Sequence, residues 1–93
     1  MPLREMSAQE IMADILNRLV LSGYWGTGHQ DADQLVNWMK NYVKENGRSI
    51  KKALKQLSRE RLIGYKNNGR SIYLNPRYRL EIYDFIDNHL LED

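Results

Sequence analysis

Ninety-three residues, 42% hydrophobic and 28% charged, suit one compact domain with a modest core and are too few for two. The lack of cysteine excludes disulfides, thiolate zinc sites and a cysteine nucleophile, and no apolar run approaches the roughly 18 residues of a membrane span. The net charge of +2 hides a segregation: residues 48–79 hold ten basic side chains against the single acid Glu60, while the rest of the chain holds four basic and eleven acidic ones.

Such asymmetry within one small domain points to a surface made for a polyanion. The opening Met1-Pro2-Leu3-Arg4-Glu5-Met6 lacks the apolar centre of a signal peptide, so a cytoplasmic chain with no membrane partner is expected.

The first helix is predicted over 7–22. Ser7 and Glu10 stand as a capping box, Met6 and Ile11 as a hydrophobic staple, and Gly23 as a left-handed stop. Ala8, Ile11, Met12, Ile15, Leu16, Leu19 and Val20 recur along one face at helical spacing. The glycine-punctuated stretch from Tyr24 to Gln30 has room for a short strand and no more. Asp31 then caps a second helix over 31–45, with Ala32, Leu35, Val36, Met39, Tyr42 and Val43 as its buried stripe and Asn46-Gly47 as its stop. A third helix follows over 49–61 after only a short turn, which makes a helix-turn-helix arrangement.

That third helix is sharply two-sided. Ile50, Ala53, Leu54 and Leu57 share one face, and Lys51, Lys52, Lys55 and Arg59 share the opposite one with no acid among them. Arg48, expected just outside the helix, extends the same patch. Leu62–Lys66 and Ser71–Asn75 read as two strands joined through Asn67-Asn68-Gly69-Arg70, giving a hairpin over 62–75. Asn75 as cap and Pro76 at the first position start a last helix over 76–91.

The order, and above all the run from Ser49 to Tyr65, resembles the winged helix-turn-helix domain found in many regulators and in linker-histone globular domains. The resemblance implies a mainly α fold with a small β-hairpin and an additional C-terminal helix, one domain over 1–93. It departs from the commonest form near Arg61, where a glycine usually stands. It further implies duplex-DNA binding, as in transcription regulation or chromosome association. Ser49, Lys51, Lys52, Lys55, Gln56 and Arg59 would face the major groove, and Lys66 and Arg70 would form the wing. Lysine and arginine neutralise phosphates, Ser49 offers a hydroxyl at a helix N-terminus, and the Gln56 amide is the residue expected to read a base. The competing readings are an acidic protein partner or structured RNA on the same basic face.

No nucleophile–base set, metal site or cofactor-binding motif can be assembled, so neither an enzyme nor a cofactor is expected. His29, Asp31 and Asp33 alternate like metal ligands, but Asp31 is needed as a cap. Tyr24, Trp25 and Trp38 lie outside the basic segment and suit core packing or a subunit contact. The last helix carries a wide apolar arc, so a homodimer through Tyr78, Ile82, Phe85, Ile86 and His89 is expected.

Overall fold

A serine, a glutamate and a glycine set the bounds of the first helix. In the computed structural model, which describes residues 5–44 and 47–90, α1 runs Ala8–Ser22. Ser7 Oγ accepts from the Glu10 N–H at 3.1 Å, and the Glu10 carboxylate accepts from the Ser7 N–H at 2.7 Å. At the far end Gly23 adopts φ 73°; its N–H donates to the Val20 carbonyl and that of Tyr24 to the Leu19 carbonyl. This paired closure fixes where the helix stops and keeps Ile11, Met12, Ile15, Leu16 and Leu19 on one buried face.

The segment after α1 ends in a two-residue strand, β1 (Gln30–Asp31). Asp31 also caps α2 (Ala32–Met39), accepting from the Gln34 N–H at 2.9 Å. The expected extent of 31–45 is therefore too long. Beyond Met39 the N–H groups of Asn41 and Tyr42 donate only three residues back, to Trp38 and Met39, and the helix winds down into a tight turn. The turn brings the Tyr42 hydroxyl to Asp14 and Arg18 of α1, a tertiary anchor that local periodicity does not contain. The expected stop at Asn46 lies outside the described residues.

Gly47, at φ 81°, redirects the chain into α3 (Arg48–Arg59). A side chain there would suffer the left-handed backbone and would stand 3.2 Å from Val36 Cγ1. Arg48 is thus inside the first turn of α3, and not before it as expected. The helix also ends two residues before the expected limit of 61. Arg61 itself takes φ 66°, the conformation that a glycine would supply. Its N–H donates to Ser58 and that of Leu62 to Leu57, so α3 closes as α1 does, with arginine in the glycine's place.

The chain then forms β2 (Ile63–Lys66) and β3 (Ser71–Leu74), paired antiparallel with Ile63 opposite Leu74 and Lys66 opposite Ser71. Asn67, Asn68 and Gly69 all have positive φ in the connecting turn, which asparagine and glycine tolerate best. β1 joins the other edge of β3, giving the sheet order β1-β3-β2. Asn75 caps a 3-10 turn (Pro76–Tyr78) by accepting from the Arg77 N–H, and α4 (Arg79–His89) follows. The helix expected over 76–91 is thereby divided at Tyr78, whose backbone leaves helical geometry. Leu91 lies outside the described residues.

α3 and α4 both pack on α1, and the sheet closes the core with Ile72 and Leu74. Ile11, Ile15, Leu16, Ile50, Leu57 and Ile82 meet there without solvent exposure. The chain is mainly α with a small antiparallel sheet, an order compatible with a winged-helix layout.

Candidate nucleic-acid interface

Burying Ile50, Ala53, Leu54 and Leu57 turns the opposite side of α3 to solvent. Arg48, Lys51, Lys52, Lys55 and Arg59 are all exposed there. The first four line one shallow depression to which no other described residue contributes. Among the described residues, none of the five is ion-paired. The first turn of α3 carries no acid, so the positive end of the helix dipole adds to the cations instead of being cancelled.

Two expected members of the set stand aside from it. Ser49 is half-buried in a hollow with Glu5, Met6, Ser7 and Lys44, turned toward the start of α1. Gln56 lies on the flank of α3 bordering a groove with Met12, Phe85 and His89, and its Nε2 donates to Glu60 Oε2 at 3.0 Å. That bond was legible as a four-residue spacing on a helix. It commits part of the amide expected to read a base.

The wing divides in the same way. Lys66 Nζ donates to the Gly26 carbonyl at 2.7 Å and stands 4.9 Å from the Tyr73 ring centroid, so it ties β2 to the segment before β1. Tyr73 lies directly over Gly64, where an added Cβ would come within 2.5 Å of its ring. Arg70 is exposed at the tip, and its carbonyl accepts from the Ala32 N–H at 2.8 Å, which anchors the wing to α2. The Arg79 guanidinium stacks 4.7 Å from the Trp25 ring, which in turn meets Tyr83 at 5.7 Å.

The apolar arc of α4 is largely consumed by the chain's own core. Ile82 is 0% exposed and Ile86 8%, so these two residues of the expected dimer contact have no surface to offer. Tyr78 and Phe85 are half-buried against the same core, and the His89 ring meets that of Phe85 at 4.5 Å, tilted by 46°. Leu80 and Tyr83 are the large apolar side chains that α4 leaves exposed, beside the exposed acids Glu81, Asp84 and Asp87.

A polar cluster between α1 and α2 escaped the sequence reading. Arg18 Nε donates to Asp14 Oδ2 at 3.2 Å and to the Tyr42 hydroxyl at 3.0 Å, and its guanidinium lies 3.5 Å above the Trp38 ring. The Tyr42 hydroxyl donates to Asp14. Burial first, then that hydrogen bond to the carboxylate, holds the phenol well above its ordinary pKa, and Arg18 offsets only part of the rise. Only the Asp14–Arg18 spacing was visible in sequence; Trp38 comes from α2 and Tyr42 from the turn that follows it.

Among the described residues no three His, Cys, Asp or Glu side chains gather as a metal-binding group, and Asp31 is occupied as the α2 cap. No described helix is long and apolar enough to cross a membrane. No protein-family model matches the chain, and no curated protein or solved structure matches it significantly.

Proposed function

We propose that this chain is a duplex-DNA-binding module of winged-helix type, belonging to a transcriptional regulator or a chromosome-associated protein. The observation that carries the reading is the depression on α3 lined by Arg48, Lys51, Lys52 and Lys55, with Arg59 beyond it and no acid on that face. Cations on a helix with no ion pair among the described residues are poised to neutralise phosphates, at little cost in ordering the backbone. The exposed Arg70 extends the same chemistry to the wing tip. Backbone affinity is better provided for than base reading: Gln56 is partly engaged by Glu60, and Lys66 is bound to Gly26.

Phosphate neutralisation sets the test. The observed affinity for a duplex should fall with salt on a log–log slope of about −4 to −7, corresponding to roughly five to eight contacts. Replacing Lys52 and Lys55 together by glutamate should abolish binding at moderate salt while leaving the circular dichroism spectrum unchanged, since both side chains are exposed. A flat salt response, or unchanged affinity in the double variant, would remove α3 from any such interface. Duplex RNA in the same titration separates the two nucleic acids, because the narrow major groove of A-form RNA does not admit a helix.

A further inference from the structure

α3 and α4 each pack on α1 but not closely on each other, and a groove of about 680 Å³ remains between the three helices. Its floor is apolar. Met12 and Ala53 lie at the bottom, and the half-buried Met6 and Phe85 keep part of their surface for an occupant. One lip is a row along α3, Arg48, Lys52, Gln56 and Glu60, spaced four residues apart and all exposed. At about 1.5 Å per residue the row is about 18 Å long. Its first half is cationic, whereas in its second half Gln56 donates to the Glu60 carboxylate.

We propose that this groove seats an acidic amphipathic helix of a partner protein, and that such a partner and a duplex exclude each other. The floor and the lip select that occupant together. An apolar floor offers nothing to a phosphate backbone, whereas an amphipathic helix lays its apolar face into such a groove, and methionines adapt their shape to what they cover. The cations set the sign of the partner and their position sets its pattern: its acids lie at the end near Arg48 and Lys52, away from the like charge of Glu60. A groove open to solvent along the whole length of a helix does not enclose a small ligand, which binding pockets bury almost entirely. Arg48 and Lys52 line both this groove and the depression on the outer face of α3, so they cannot serve carboxylates and phosphates at once. That exclusion rests on the DNA-binding reading; the docking does not.

The test is selection by the full chain, without nucleic acid, from a library of random peptides of about 16 residues, long enough for a helix that spans the row. Its failure is therefore distinct from a failure of the DNA-binding reading. Winners are expected to carry apolar residues at helical spacing and acids gathered toward one end. Arg48→Glu with Lys52→Glu should weaken a winning peptide at least about tenfold, whereas Lys51→Glu with Lys55→Glu, outside the groove, should cost less than about threefold at about 0.15 M salt. Ala8→Glu places an acid on the α1 wall and should weaken binding at least about fivefold; an acid in a helix's first turn spares the fold, which circular dichroism verifies. No enrichment, or winners that are basic or lack acids, overturns the proposal. Affinity unchanged by Ala8→Glu overturns it too, by moving the contact to the outer face of α3. A dimer of the chain that Ala8→Glu dissociates also overturns it, by giving the groove to a second copy. A duplex should displace the labelled peptide, and a chain that holds both at once overturns the exclusion.

Discussion

A single phenol joins α1 to the turn that follows α2. Tyr42 donates to Asp14, accepts from Arg18 and sets its ring edge-on to Trp38, so its hydroxyl is coupled to the fold more tightly than a surface tyrosine's. Tyr42→Phe should cost about 1–2 kcal/mol in urea unfolding, since two polar partners lose a bond while the ring remains. The same hydroxyl makes stability depend on alkaline pH. Its pKa is raised in the fold, as burial also raises that of Tyr65, so unfolded phenols ionise first. The contribution is fully present below the ordinary phenol value of 10.0 and is lost as the pH climbs above it. Tyr42→Phe should flatten much of that alkaline decline. An equally steep decline in the variant would mean that the hydroxyl is not held between Asp14 and Arg18.

At the scale of elements, the junction between α3 and β2 holds the one positive-φ residue, among the described residues, that is neither glycine nor asparagine. Arg61 occupies left-handed backbone while Asn75 Nδ2 donates to its carbonyl at 2.9 Å and the Asn75 carboxamide oxygen caps the following turn. Arg61→Gly should stabilise the protein by about 0.5–1 kcal/mol, the relief of a strained φ less the added freedom of the unfolded chain. Asn75→Ala, which removes a cap and the support of Arg61 together, should cost about 1–2 kcal/mol. Thermal unfolding checks both; a lowered Tm for Arg61→Gly would show that the arginine side chain makes contacts worth more than its backbone strain. The contrast with the other elements explains what was legible in sequence. The Ser7–Glu10 capping box, the Asp31 cap, the Asn-Gly turn and the two faces of α3 are written within a few residues, and the structure keeps them. The early end of α2 and the bond from Lys66 to Gly26 depend on groups 28 and 40 residues apart in sequence, where local pattern carries no signal. The α4 arc was readable as apolar, with Leu80 outside it, but its width did not say that Ile82 and Ile86 would be claimed by the core.

Over the whole molecule, charge is sorted by element. α3 offers solvent a face of cations, whereas the exposed side of α4 carries Glu81, Asp84 and Asp87, and α1 lies against both helices. Such sorting places unlike charge on two helices of one small body, a separation that the net charge of +2 does not register. A polyanion then exerts a torque on the protein within about 10 Å at 0.1 M salt, the range over which the field survives screening. The association rate with a duplex, measured by stopped flow, should accordingly fall as salt is raised, and neutralising Glu81, Asp84 and Asp87 together should make that fall shallower. An association rate indifferent to those three acids would show that approach is governed by α3 alone. On the DNA-binding reading, the acids of α4 would turn the molecule before the duplex touches it, so that more encounters begin at α3.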